Sequence, residues 1–230
     1  MRFTRITGLV LLATAIIGCS DADPVQPDPD LAAVVIANVA SGTSDLDVEV
    51  AGLANPVALG LDFGFYTSQC ALLPAEQEIS ITFRSSGTVL ATEDVTLEDA
   101  QRYTILLTSD GTNEHVLVLE DDVTVPDGQR AVRLVNATEA AGDVYLFASG
   151  AAMGTAAATD LAYAGTAATA PQYLLRAENQ TQVRFFAPGV GTGTPRAENA
   201  LPAATVAPIT TVIFADALGS TEVFVLGPCS

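Results

Sequence analysis

Residues Ala33-Val34-Val35-Ile36-Ala37-Asn38-Val39-Ala40 and Ala131-Val132-Arg133-Leu134-Val135-Asn136-Ala137-Thr138 are two versions of one stretch. Both are rich in aliphatic and β-branched residues, which suit a pleated strand, and both reach an Asn before the pattern breaks. A short loop follows each. It leads to Leu46-Asp47-Val48-Glu49-Val50-Ala51-Gly52 in the first half and to Gly142-Asp143-Val144-Tyr145-Leu146-Phe147-Ala148-Ser149-Gly150 in the second. Both halves finish on a strand–turn–strand unit, Tyr103 to Leu119 and Thr210 to Leu226.

Between these landmarks, apolar and polar residues alternate with period two, the mark of strands with one buried face. Glu78-Ile79-Ser80-Ile81-Thr82-Phe83-Arg84 puts Ile79, Ile81 and Phe83 on one side. Asp45, Asp47 and Glu49 alternate with Leu46, Val48 and Val50, the writing of an ordinary half-buried strand. Tyr103–Leu107, Gln182–Phe186, Thr210–Phe214 and Glu222–Leu226 read as further strands, and His115–Leu119 as one buried on both sides. Turn signals such as Ser109-Asp110-Gly111 and Pro126-Asp127-Gly128 separate them. Each half holds about 100 residues and about seven short strands, which fits a Greek-key sandwich. The expected fold is therefore all-β, with two tandem immunoglobulin-like or Greek-key β-sandwiches over residues 31–126 and 127–230.

Upstream of the repeats the chemistry changes. Arg2 and Arg5 precede the apolar run Gly8–Ile17, which ends at Gly18-Cys19-Ser20. A basic start, an apolar run of roughly 7–15 residues and a small residue before the cut define an export signal. The run is shorter than the roughly 20 residues a bilayer-spanning helix needs. Residues 1–18 thus read as a signal peptide. The ending Ile16-Ile17-Gly18-Cys19 resembles the bacterial lipobox. That resemblance implies a lipid on the Cys19 thiol, cleavage after Gly18 and acylation of the new amino terminus, palmitate included. Several acyl chains anchor a protein stably where one gives marginal binding. Ser20, rather than Asp, after the Cys favours the outer over the inner membrane, by analogy with enteric sorting. Residues 19–30 carry Pro24, Pro27 and Pro29 among four aspartates, a composition that builds no core and reads as a disordered tether.

Composition narrows the partners. All nine basic residues are arginine, and two of them lie in the signal. The remainder carries seven positive and 27 negative side chains, a net of −20. So acidic a chain repels nucleic acid and anionic headgroups, and nucleic-acid binding is excluded. With Cys19 lipidated, Cys70 and Cys229 remain as an even pair in an oxidising compartment. A bond between them closes a loop of about 160 residues, worth roughly 5 kcal/mol by chain entropy. The alternative leaves Cys70 as a buried small hydrophobe and Cys229 as a frayed terminal thiol.

The repeat motifs resemble domain-of-unknown-function family 4397, exported bacterial domains that often occur in tandem. The resemblance rests on Val132–Asn136, Asp143–Gly150 and Leu117-Val118-Leu119-Glu120-Asp121-Asp122, and spans about residues 31–226. Members usually carry a His-Ala-Ser-Pro-like stretch where this chain has Ala40-Ser41-Gly42-Thr43. The family implies a fold and a location, with no agreed activity.

The inventory of chemistry is short. Nucleophilic catalysis needs a base beside a Ser or Cys, yet His115 is the only histidine and lysine is absent. Gly189-Val190-Gly191-Thr192-Gly193-Thr194-Pro195 lacks the Lys and the following helix of a phosphate loop and reads as a hairpin connection. Glu120, Asp121, Asp122 and nearby Asp127 offer oxygen ligands for Ca²⁺ at the junction of the halves, without the usual calcium-loop spacing. Asn136-Ala137-Thr138 is a glycosylation sequon in form only. The reading is a non-enzymatic, membrane-anchored envelope lipoprotein that needs no cofactor. It presents two sandwiches to a protein or glycan, or acts as a spacer. The alternatives are a calcium-stabilised binding module and a carboxylate-based glycan hydrolase, for which the sequence nominates no pair.

Overall fold

The computed structural model describes residues 30–166, 170–217 and 220–229; the signal, Cys19 and all of the tether but Asp30 lie outside them. The strands are β1 Leu31–Asn38, β2 Leu46–Val50, β3 Ala58–Leu61, β4 Ala71–Pro74, β5 Glu78–Ser85, β6 Thr88–Thr96, β7 Arg102–Ser109 and β8 Glu114–Glu120. They continue as β9 Gln129–Ala137, β10 Gly142–Ala148, β11 Ala158–Leu161, β12 Tyr173–Ala177, β13 Gln180–Phe186, β14 Ala197–Ala200, β15 Ile209–Ala217 and β16 Ser220–Leu226. One short 3₁₀ turn spans Ala164–Thr166.

Four four-stranded sheets result, ordered β4-β1-β7-β8 and β3-β2-β5-β6 in the first sandwich. The second sandwich has β12-β9-β15-β16 and β11-β10-β13-β14. Adding eight to each strand number of the first pair gives the second, so the two sandwiches share one topology. Each has eight strands rather than about seven. The extra ones are short edge strands such as β3, β4, β11 and β14, four residues each, where alternation has little room to show. The sheets are also mixed, because β1 pairs with β7 and β9 with β15 in parallel.

Period two places the cores. Val34 and Ile36 of β1, Ile79, Ile81 and Phe83 of β5, and Ile105 and Leu107 of β7 close the first core. Val132, Leu134, Val144, Val183, Phe185 and Phe214 close the second. Half-buried alternation does not describe β1, β7 and β9, which are buried along nearly their whole length. Their second face meets the other sandwich. β8 departs the other way: it is an edge strand, partly exposed along most of its length.

The contact between the sandwiches is reciprocal. Ala37 and Val39, Leu106, and Leu117 and Leu119 of the first sandwich pack with Val135 and Ala137, Ile213, and Phe224 and Leu226 of the second. Ladder register makes these equivalent positions, since Leu106 faces Leu117 as Ile213 faces Phe224. The same patch thus meets its own counterpart, the geometry of a two-fold interface realised within one chain. Flanking loops repeat the exchange. Phe63, past β3, sets its ring edge-on to Phe224, with centroids 5.5 Å apart. Tyr163, past β11, meets the His115 ring at 5.8 Å and the Thr108 hydroxyl at 2.7 Å. Gly64 sits at φ 81°, and a Cβ there would lie 2.7 Å from the Phe224 ring, so only glycine lets the chain approach so closely.

Candidate functional site: the junction of the sandwiches

Acidic residues after β8 read in sequence as a solvated linker or a calcium site; the structure assigns the middle one elsewhere. Glu120, Asp122 and Asp127 are exposed, whereas Asp121 is buried. Every second residue of β8 faces the other sandwich, and Asp121 continues the series of Leu117 and Leu119. Arg133 holds the matching parity in β9 beside Val135 and Ala137. Arg133 Nη1 donates to Asp121 Oδ1 at 2.8 Å, and Nη2 donates to the Glu120 carbonyl. The Tyr173 hydroxyl donates to the same Oδ1 at 3.0 Å, and the Thr104 hydroxyl to Oδ2 at 2.6 Å. The guanidinium also lies 4.0 Å above the Tyr173 ring.

Burial pushes the Asp121 carboxyl above its ordinary range, against the opposing pull of Thr104, Arg133 and Tyr173. Burial likewise raises the Tyr173 phenol, and the Asp121 charge adds to it. A carboxylate so occupied is not free to bind a cation. Among the described residues no three His, Cys, Asp or Glu side chains gather as a metal site, so the four junction acids do not form the calcium cluster the sequence suggested.

Across the interface the equivalent junction is covalent: Cys70 and Cys229 form a disulfide over a separation of 159 residues. Cys229 is buried against Ala33 and Val35, so it is not a frayed thiol. The correspondence follows from register. Tyr173 stands opposite Arg133 in the β9–β12 ladder. Continuing the β1–β4 ladder by one residue sets Cys70 opposite Val35. Counting three residues past the equivalent Leu119 and Leu226 reaches Asp122 and Cys229. The tail leaving each sandwich therefore clamps onto the other, by an ion pair at one end and a disulfide at the other.

Two further polar groups hold the sandwiches internally. Asn38 Nδ2 donates to the Leu61 carbonyl at 3.1 Å, and its Oδ1 accepts from Ala40 N at 3.1 Å. Asn136 repeats this with Leu161 O at 2.7 Å and Thr138 N at 2.9 Å. Both side chains are fully buried, and the sequon at Asn136 lies at the end of β9, its amide engaged in these bonds. Arg130, fully buried at the start of β9, has no acidic partner among the described residues. It donates to Pro202 O at 3.0 Å and Thr210 Oγ1 at 3.1 Å, and burial lowers its pKa. Of the remaining sequence candidates, Asp47 and Glu49 point outward as expected while Asp45 sits in a turn with positive φ. The Gly189–Pro195 stretch joins the antiparallel pair β13 and β14.

The fold is a pair of β-sandwiches of one topology, clamped into one body across an internal two-fold-like interface. Residues 32–147 match the model of the family described as Domain of unknown function (DUF4397), and the chain belongs to that family. The match runs from β1 into β10, through the first sandwich, the acidic connection and the first two strands of the second. A solved structure from work on alpha-glucan recognition by family 41 carbohydrate-binding modules of streptococcal virulence factors is 11% identical, with a TM-score of 0.29. That alignment covers 84% of this chain and 96% of the other. So loose a likeness leaves what those modules recognise as a property of theirs alone. No curated protein matches the chain.

Proposed function

We propose that this is a lipid-anchored protein of the bacterial cell envelope, and that its two sandwiches are tandem copies of one family domain. Together they form a single rigid body with a non-enzymatic binding or structural role. The domains divide near residue 126, and the Pro/Asp tether holds them off the membrane. A roughly 12-residue extended segment at about 3 Å per residue spans some 35 Å. The observation that carries the reading is the reciprocal clamp of Asp121 on Arg133 and Cys70 on Cys229. It fixes the angle between the sandwiches, which suits a surface presented to a partner at a set distance. The disulfide fits an oxidising compartment outside the cytoplasm. The lipobox at Cys19 supplies the anchor, and Ser20 favours the outer membrane.

The test is metabolic labelling with an alkynyl palmitate in a bacterial host that processes lipoproteins. Full-length protein takes up label and sediments with membranes. Cys19→Ala loses the label and is recovered folded in the soluble fraction. A Cys19→Ala protein that remains labelled or membrane-bound contradicts the assignment.

A further inference from the structure

The outer faces of the two sandwiches differ at equivalent positions. Phe83 stands opposite Val48 in the first sandwich as Phe185 stands opposite Val144 in the second. The next residue along each of these strands is Glu49 or Arg84 in the first and Tyr145 or Phe186 in the second. Alternation turns all four away from the cores that hold Val48, Phe83, Val144 and Phe185. Glu49 and Arg84 form a surface ion pair at 2.9 Å. Tyr145 and Phe186 instead set their rings edge-on with centroids 5.6 Å apart, and Phe186 is only 1% exposed. A strap covers this ring pair. The first ladder runs on past Phe83 and Ala91 to a turn at Ser86-Gly87, whereas the second stops at Phe185 and Ala197. Residues 187–196 return across the sheet to β10. There Gly189 N donates to Asp143 Oδ2 at 2.8 Å. Gly191 comes so near that a Cβ on it would lie 2.6 Å from the Tyr145 hydroxyl.

We infer that residues 187–196 are a strap that opens and closes over the outer face of the second sandwich, with Asp143 as its latch. The strap is lightly tied: residues 188–190 and 192–194 are exposed, and none of them belongs to a ladder. Segments with few buried contacts open locally while the body stays folded. The latch is balanced from both sides. Asp143 is 5% exposed and has no cation within ion-pair distance among the described residues. It accepts from Gly189 N and from Asp160 N at 2.9 Å, and such charge-assisted bonds hold the strap down. A buried carboxylate without a counter-ion also gains from the water that opening admits. Asp47, its equivalent in the first sandwich, accepts from Gly60 N at 3.3 Å and is not buried, so the bond to the strap is what the second copy adds. Opening releases Gly189, leaves the Asp160 bond in place and uncovers Tyr145 and Phe186. The first sandwich thus keeps a fixed polar face, while the second alternates between a polar strap and an aromatic surface. This device goes beyond the anchored, non-enzymatic role proposed above and does not depend on it.

The experiment is amide hydrogen exchange of the disulfide-bonded protein, followed by NMR at Gly189 and at Val183 of β13 in rising concentrations of denaturant. Exchange at Gly189 is expected to be roughly a hundredfold or more faster than at Val183. It should also stay constant over denaturant concentrations that accelerate Val183, the pattern of local opening. Gly191→Ala, which presses a methyl group on the Tyr145 hydroxyl without touching the latch, raises Gly189 exchange about tenfold and leaves Val183 unchanged. Asp143→Asn offers one acceptor oxygen to two donors, and moves the Tyr145 and Phe186 ring resonances toward their solvent-exposed positions. Gly189 exchange that tracks Val183 would make the strap a fixed part of the sandwich and overturn the inference. Wild-type exchange in Gly191→Ala, or unmoved ring resonances in a folded Asp143→Asn protein, would overturn it as well.

Discussion

The two junctions between the sandwiches occupy equivalent places and use opposite chemistry. The tail of the second sandwich, Gly227 to Cys229, is bonded to Cys70 of the first. The tail of the first is held by Asp121 alone among Arg133, Tyr173 and Thr104. Chain connectivity explains the difference. The first tail leads within a few residues into β9 of the other sandwich, so Asp121 meets Arg133 at high effective concentration and a non-covalent contact suffices. The second tail has no such short covalent connection to the sandwich it docks on, and the Cys70–Cys229 bond supplies one. A covalent bond is the remedy that constrains the unfolded chain as well, across the longest loop in the molecule.

Breaking the covalent end has the largest expected effect. A Cys70→Ala/Cys229→Ala double variant loses about 4–5 kcal/mol in a denaturant titration, since a loop of 159 residues is released. A loss below about 1 kcal/mol would mean that the folded contacts alone hold that tail.

At the ion-pair end the expected effect is smaller. Asp121→Ala strands Arg133 in a dry interface and costs about 3–5 kcal/mol. Replacing both partners, as Asp121→Leu/Arg133→Met, recovers most of that loss, because burial already disfavours the Asp121 charge. If the double variant were no more stable than the single one, the pair would be contributing net stability rather than register.

Inside each sandwich the same motif is used twice, so its two copies form a further pair. Asn38→Ala and Asn136→Ala each leave a buried carbonyl and a buried N–H unpaired and cost about 1–3 kcal/mol by thermal melts. Asn136→Ala is the costlier, since its amide also reaches the Ala140 carbonyl at 3.1 Å.

The smallest effect is electrostatic. Backbone N–H groups of Asn113 and Thr112, then His115, hold the Asp110 carboxyl at about 2. This lies below its unfolded value of about 3.9. The stabilisation is therefore complete above roughly pH 4 and lost as pH falls through about 2. The wild-type melting advantage over Asp110→Asn shrinks between pH 5 and pH 2, and an advantage constant over that range would remove Asp110 as its source.

Much of the fold is written locally. Ile79, Ile81 and Phe83 fall on one face by parity alone, and the Asn38 and Asn136 stretches align by eye. The cysteine pairing is suggested by export and an even count. The interface is harder to read because it needs two sheets' worth of distant residues. Its traces are nonetheless present. Arg133 takes the place of Val35 in the aligned repeats, and Asp121 continues the inward parity of Leu117 and Leu119. A charge on an apolar register in each half marks a buried pair. Composition hides it, because Asp121 sits between exposed Glu120 and Asp122. Arg130 left no such trace, as its partners are two carbonyls and the Thr210 hydroxyl, all 50 or more residues away.

The clamps and the shared apolar face make one cooperative body of two sandwiches. Differential scanning calorimetry of the disulfide-bonded protein tests it most directly. A single transition is expected, with calorimetric and van't Hoff enthalpies that agree, a ratio of about 1. Two resolved transitions, or a ratio near 2, would mean that the sandwiches unfold independently and would contradict it.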